Sequence, residues 1–252
     1  MFYQVIEYLQ SLNSWVVFAA QLLFVWSFLL LMLKVFGKEG LYVFVAIAVV
    51  IANIEVLKLV NFNLFSNPIT LGNILFSSVF LATDILSEVY GKKYAQKAVM
   101  LGFFAYLLSV IALFITLGYK PITAQDIPSD MSWALAVQPA METLFVPSVG
   151  IFISSMTAYF LSQFLDITIF HKVKDKTNNK YLWLRNNAST FCSSVIDNTT
   201  FNFLAFVVLT SNPVSITVLL KSYILGMLAL RWSLAIFDTP IIYFARKIAP
   251  KN

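Results

Sequence analysis

The sequence predicts an all-α fold, a polytopic membrane helix bundle. Of its 252 residues, 60% are hydrophobic and only 12% are charged, which is unlike the composition of a soluble domain. Seven apolar runs are long enough to cross a bilayer, and the basic residues are concentrated in alternate connections between them. We therefore expect residues 1–252 to form one integral membrane domain.

The apolar runs follow one another along the whole chain, and each is long enough to span a bilayer. A spanning helix needs about 20 residues at 1.5 Å per residue. We place the spans at 15–36, 41–60, 69–89, 95–118, 145–170, 188–209 and 216–243. The last run is longer than a span requires, which indicates tilt, or a break near Gly226 or before Pro240.

The distribution of Lys and Arg predicts the orientation. With the N-terminus outside, one basic residue, Lys120, lies in an outer connection, and thirteen lie in inner connections: Lys34, Lys38, Lys92, Lys93, Lys97, Lys172, Lys174, Lys176, Lys180, Arg185, Arg246, Lys247 and Lys251. Because cytoplasmic loops carry the excess of positive charge, this predicts an N-out, C-in topology. The alternative is a peripheral or re-entrant first segment, which gives six spans.

The composition argues against most enzyme classes. The chain has one His and one Cys, so it has no intrachain disulfide and no metal-ligand spacing. Gly-rich nucleotide loops and Gly-x-Ser-x-Gly motifs are missing from the sequence. The basic residues do not form one soluble face, so nucleic acid is not an expected partner. We expect no enzyme, no cofactor and no metal.

Two acids, Asp84 and Glu88, stand one helical turn apart in an apolar stretch that ends at Lys92 and Lys93. Residues four apart share a helix face. An ionisable group in the membrane is costly and normally faces the bundle interior or a cavity. This pair is therefore the first candidate for a functional site.

The other intramembrane charges fall into two groups. Glu55 and Lys58 are spaced for an i, i+3 pair, and Arg231 and Asp238 lie two turns apart on one face. For these four residues we predict structural neutralisation or a coupling role. Asp84, Asp166 and Asp197 have no local basic partner, which favours ligand contact.

Amide side chains accompany the acids, and together they predict a binding site for a small polar solute. Carboxylates and amides offer acceptors and donors to a planar, amide-like edge, and aromatic side chains can stack on a ring. The predicted substrate-binding residues are Asp84, Gln163, Asp166, Asp197, Asn198, Asn53, Asn187 and Glu88.

Five stretches, in order along the chain, resemble the bacterial queuosine precursor transporters, also called the vitamin uptake transporter family. One such motif is weak, whereas five in order are specific, and the resemblance covers roughly residues 41–245. The stretches are Leu81–Gly91, Ser162–Phe170, Trp183–Thr190, Ile196–Asp197 and Asp238–Pro240.

The resemblance implies an inner-membrane importer of 7-deazaguanine bases: 7-cyano-7-deazaguanine, its aminomethyl relative, or queuine, salvaged for tRNA modification. It also implies a six-helix core, to which the segment 15–36 is an addition. One carboxylate, from Asp84, Asp166 or Asp197, would accept the base's N1–H and 2-amino donors, and an amide or a cation would meet O6.

Several alternatives stay open at this point. Uptake can be facilitated, proton-coupled with an acid such as Glu88 carrying the proton, or energised by partner subunits. A homo-oligomer is compatible with the sequence. A different class of function is a membrane scaffold or assembly protein whose intramembrane acids form structural salt bridges with bases in other helices.

Overall fold

The structure, a computed structural model, describes residues 2–63, 68–145, 148–210 and 213–250. Nearly all of this chain is helical. The helices are α1 (Phe2–Ser11), α2 (Ser14–Glu55), α3 (Asn73–Val89), α4 (Lys92–Leu117), α5 (Val137–Phe145), α6 (Ser148–Lys176), α7 (Leu182–Phe203), α8 (Ile216–Val218) and α9 (Gly226–Ile248). A 3₁₀ helix, Ser129–Ala136, precedes α5.

Four helical stretches of the described chain are long and apolar enough to cross a membrane: Ser14–Glu55, Lys92–Leu117, Leu182–Val208 and Tyr223–Ile248. A fifth candidate is the bent pair Asp130–Phe145 and Gly150–Lys176, whose parts meet at 48°. The predicted class, an all-α membrane helix bundle, is confirmed.

Helix α2 is a hairpin rather than one long rod. Its backbone leaves the helical region at Gly37, where φ is 59° and ψ is −136°. The Gln21 amide, on one side of that point, donates to Glu55 on the other at 2.9 Å. In a straight helix these residues would be about 50 Å apart, so the arms 14–36 and 38–55 must run antiparallel. The predicted separation of 15–36 from 41–60 corresponds to this turn.

A short β ladder joins α2 to α3. Strand β1 (Leu59–Val60) pairs antiparallel with β2 (Ile69–Thr70), with Leu59 opposite Thr70. The predicted spans 41–60 and 69–89 are therefore too long at these ends, because α2 ends at Glu55 and α3 begins at Asn73. β-Branched Val60, Ile69 and Thr70 favour the extended backbone.

Helix α3 is the centre of the bundle. Almost every side chain from Asn73 to Ser87 is buried, and the helix packs against α2, α4, α6 and α9. A helix that is apolar all round is expected to be enclosed by others. Asp84, near its middle, is consequently fully buried.

The C-terminal part changes helical geometry instead of breaking. Leu219–Leu225 form wider π-helical turns, and α9 starts at Gly226 and continues through Pro240. The predicted irregularity near Gly226 thus appears as a change of helix type. Helix α7 starts at Leu182, six residues before the predicted 188. The Lys221 side chain and Lys251 lie outside the described parts of the chain.

Candidate functional site

Polar side chains of α3, α6, α7 and α9 form three clusters at different depths of the bundle. On α7, Arg185 and Asp197 are twelve residues apart, about 18 Å along the helix. We name the clusters the Asp197 cluster (Asn73, Ser162, Asp197, Arg231), the central acid pair (Asp84, Asp166) and the Glu88 cluster (Glu88, Lys174, Arg185, Arg246).

The central acid pair brings together two carboxyl groups from different helices. Asp84 of α3 and Asp166 of α6 are both fully buried and interact directly. Helix α7 supplies hydroxyl donors to both groups: Ser193 Oγ donates to Asp166 Oδ1 at 2.8 Å, and Thr190 Oγ1 lies 3.5 Å from Asp84 Oδ2. Two ionised carboxylates in contact repel, so the pair requires a proton or further donors.

Gln163 lies beside this pair. Its Oε1 accepts a 3.1 Å hydrogen bond from Thr83, the neighbour of Asp84, and it precedes Asp166 by one helical turn. Among the described residues, Gln163 Nε2 has no hydrogen-bond partner, and Asp84 Oδ1 and Asp166 Oδ2 have no donor apart from a proton that the two carboxyl groups can share. Buried polar atoms normally have one, so this is the part of the interior best able to accept a polar ligand.

The Asp197 cluster corrects a predicted ion pair. Arg231 pairs with Asp197 on α7 and not with Asp238. Ser162 donates to the other Asp197 oxygen at 2.9 Å, and Arg231 Nε lies 3.5 Å from the oxygen of Asn73. Asp197 has no basic partner close in sequence, but helix packing brings the distant Arg231 onto it.

The Glu88 cluster occupies the ends of four helices. The Glu88 carboxylate lies 2.7 Å from Arg185, 3.3 Å from Lys174 and 3.4 Å from Arg246. The Arg185 guanidinium is completely buried and also lies over the Phe170 ring. Glu88 therefore lies apart from the central acid pair, and its carboxylate is engaged by three cations.

Asp238 and Glu55 each have a neutral partner rather than the predicted cation. Trp26 Nε1 donates to Asp238 Oδ1 at 2.7 Å, and Gln21 donates to Glu55 Oε1. Lys58 is exposed, and in the described chain no ion pair joins it to Glu55. Residues distant in sequence replace the local pairs because α2 folds back on itself and packs against α9.

Of the four predicted amides, the three other than Gln163 hold helices together and are dispersed. Asn53 accepts from Ser155 of α6 at 2.5 Å. Asn187 donates to Thr239 of α9, and Asn198 donates to the Ile224 carbonyl in the π-helical turns. None of these contacts reaches the central acid pair.

Two pockets border the bundle away from the acids. An open pocket lies between α2, α4 and α6 and is mainly apolar, with Asn53 and Tyr106 among its walls. A smaller pocket is lined by Phe18, Phe62 and Asn73. Asn73 belongs to the Asp197 cluster, so the smaller pocket adjoins the polar interior.

Sequence reasoning missed residues whose roles depend on packing. The sequence does not reveal that Trp26 is a hydrogen-bond donor to Asp238, because a tryptophan in an apolar helix looks like any other core residue. Arg185 was assigned only to topology, although the motif that contains it places it one helical turn from Ser189. The hydroxyl of Thr190 belongs to that same motif and completes the central site.

Comparison with known proteins agrees with this architecture. Residues 70–245 match the family described as "Putative vitamin uptake transporter". The chain is 32% identical to the "Probable queuosine precursor transporter" of Bacillus subtilis (strain 168), over 95% of this chain and 97% of the relative. It is 28% identical to the "Queuosine precursor transporter" of Escherichia coli (strain K12), over 54% and 55%.

No solved structure matches the chain. The family match covers the three polar clusters except Arg246, and the Bacillus relative aligns over nearly the full length of both chains. A multi-pass helix bundle with buried, converging acids is also an architecture expected of a membrane transporter, and both relatives are named as transporters. The chain belongs to the vitamin uptake transporter family, the family of the queuosine precursor transporters.

Proposed function

We propose that this protein imports a queuosine precursor, a 7-deazaguanine base, across the bacterial inner membrane for salvage into tRNA modification. The candidate bases are 7-cyano-7-deazaguanine, 7-aminomethyl-7-deazaguanine and queuine. The observation that carries the proposal is the central acid pair, two buried carboxyl groups of α3 and α6 beside an amide with a free donor. The names of both relatives support the substrate class.

Recognition follows from the chemistry of the base. Its N1–H and 2-amino group are adjacent donors, which suit acceptor oxygens of the Asp84 and Asp166 carboxyl groups. Gln163 Nε2 would donate to O6. A base without the 2-amino group would leave a buried carboxylate oxygen unsatisfied, at a cost of about 1–3 kcal/mol. Among the eight predicted contact residues, these three form the recognition site.

The other predicted contact residues would act by positioning. Asp197 holds Arg231 and Glu88 holds three cations, so neither carboxylate is free to accept the base. Asn53, Asn187 and Asn198 bridge helices. Their substitution would disturb helix packing before it disturbs recognition.

The proposed topology has seven spans with the N-terminus outside. The spans are the two arms of α2, then α3, α4, α6, α7 and α9. The Glu88 cluster supports this arrangement, because Lys174 and Arg185 flank the α6–α7 connection and Arg246 lies at the C-terminal end of α9. Both regions are assigned to the cytoplasm, and they meet at one end of the bundle.

The test is binding of the three bases and guanine to purified protein, read as a thermal shift and as Kd. At least one deazaguanine should stabilise the protein, and the same base without its 2-amino group should bind roughly 5- to 150-fold more weakly. Asp84→Asn and Asp166→Asn should weaken binding, whereas Asp175→Asn, at an exposed position of α6, should not.

The scaffold alternative makes the opposite prediction. It requires Asp84 and Asp166 to neutralise bases of other helices, and the described residues offer them no such ion pair. If none of the bases shifts the unfolding temperature, and the chain does not restore queuosine to a cell that lacks precursor uptake, the importer proposal fails.

A further inference from the structure

Asp238 is a buried acid that the recognition site does not use. It lies on α9, two residues before Pro240, and is only 5% exposed. Its carboxylate accepts a hydrogen bond from the neutral indole of Trp26, on the first arm of α2. Glu88 and Asp197, by contrast, are each held by at least one cation.

The surroundings of Asp238 supply no compensating charge among the described groups. Asp84 on α3 is close enough to interact with it electrostatically, and the sign is repulsive. Helix α7 presents Asn186 and Asn187, which donate to the neighbouring Thr239. Arg185 and Arg231 are engaged by Glu88 and Asp197, and Tyr223 of the π-helical turns packs on Phe206.

An ionised carboxylate enclosed in this way would be an uncompensated charge in a low-dielectric interior. The neutral carboxylic acid is therefore the form compatible with this conformation. Ionisation requires either water or a change in the packing of α9 against α2 and α3. Asp84 and Asp166 can share a proton within their pair, whereas Asp238 is held by a neutral indole and must carry its own proton, which suits a proton site linked to conformation.

We infer that Asp238 is the proton-binding residue that couples substrate import to the proton gradient. This inference rests on the proposed import function. One proton binds the Asp238 carboxylate when the site opens to the outside. It stays while α9 is packed as in this structure, and leaves to the cytoplasm when opening hydrates the carboxyl group.

The assignment differs from the sequence-based one, in which Glu88 carries the proton. The Glu88 carboxylate already forms ion pairs with three cations. Asp238 also lies outside the set of atoms proposed to contact the base. Coupling and recognition can therefore be separated by substitution.

The experiment uses the full chain reconstituted in proteoliposomes, with each of the three radiolabelled bases in turn. Two rates are measured: base exchange at equal pH, and net uptake with the outside more acidic. Wild-type uptake should rise several-fold with the gradient, with acidification of the lumen reported by an internal dye. Asp238→Asn, which keeps an acceptor for Trp26, should exchange within about twofold of wild type and lose the gradient response.

Matched variants complete the design. Asp238→Glu keeps a titratable group and should retain part of the response, and the exposed Asp175→Asn should behave as wild type. If Asp238→Asn does not fold, Trp26→Phe replaces it. That change removes the indole donor to the acid and should move the pH midpoint of gradient-driven uptake. An unmoved midpoint overturns the inference.

The remaining outcomes separate the two claims. An Asp238→Asn protein that still responds to the gradient like wild type refutes the role of Asp238. Wild-type protein that exchanges a base but ignores the gradient also refutes it, and leaves import intact. Wild-type protein that exchanges none of the three bases refutes import itself, and the coupling role with it.

Discussion

At the scale of single residues, Glu88 has the largest structural role. Its carboxylate joins α3 to α6, α7 and α9 through Lys174, Arg185 and Arg246. These three ion pairs should contribute differently to the stability of the fold, because Arg185 is fully buried whereas about half of the Arg246 side chain is exposed. A buried charge that loses its partner is penalised far more than an exposed one.

Glu88→Gln should therefore destabilise the protein strongly, by about 3–5 kcal/mol, since Arg185 would keep its charge without a counterion. Arg246→Gln removes an exposed partner and should cost no more than about 1 kcal/mol. Unfolding of both variants in detergent, monitored by circular dichroism, measures the difference in the free energy of unfolding. An equal loss of stability in the two variants would show that the burial of Arg185 does not determine the strength of its ion pair.

A second residue-scale prediction concerns the loop before α5. The exposed Asp126 carboxylate accepts from Thr123 N at 2.8 Å and Thr123 Oγ1 at 2.7 Å. These hydrogen bonds lower the pKa of Asp126 below its ordinary value. A lowered pKa means that the turn is stabilised above the ordinary pKa, and that this stabilisation is lost as pH falls through the lowered one.

Thr123→Ala removes the hydroxyl donor and should move the pKa of Asp126 back toward its ordinary value. An NMR titration of the Asp126 carboxyl carbon measures this change directly. Thr143→Ala, which removes a hydroxyl bonded within α5 itself, serves as a control and should leave the Asp126 titration in place. A titration that is the same with and without the Thr123 hydroxyl would contradict the assigned cause.

At the scale of elements, the turn in α2 decides whether the first apolar segment is one rod or two antiparallel arms. Gly37 adopts φ 59° with ψ −136°, a region open in practice only to glycine. An added Cβ would also lie 3.3 Å from the Tyr90 hydroxyl oxygen. The hairpin thus depends on glycine at position 37, the one residue type without a side chain.

Gly37→Ala should destabilise the fold by about 1–3 kcal/mol, because alanine must adopt this disfavoured backbone conformation. Gly118→Ala is the control, since Gly118 ends α4 with an ordinary negative φ of −75°. Thermal unfolding of the two variants gives the comparison. If Gly37→Ala proves as mild as the control, the turn is not constrained by its backbone conformation.

At the scale of the whole molecule, the seven-span, N-out topology is open to a direct test. Cys192 is exposed on α7 and is the only cysteine, so Cys192→Ser provides a cysteine-free background. On that background, Lys120→Cys should react with an impermeant maleimide from outside intact cells. Asp175→Cys should react only after the cells are opened. Reaction of both from the same side would contradict an odd number of spans between these positions.

The sequence by itself determined the class of fold, the approximate positions of the apolar helices and the family. These follow from local quantities, namely hydropathy over about 20 residues and motif order, and they do not depend on which helices touch. The sequence also singled out Asp84, Asp166 and Gln163, because an uncompensated polar group in an apolar run is costly wherever the helix lies.

Tertiary structure alone decided the partners of the charges. Local spacing favoured pairing Arg231 with Asp238 and Glu55 with Lys58. In the packed bundle, Arg231 instead pairs with Asp197, and Asp238 accepts a hydrogen bond from Trp26. Helical periodicity fixes which residues share a face, but a salt bridge between helices depends on their rotation and register. Those are set by the packing of the entire bundle, around the buried α3 and the turn at Gly37.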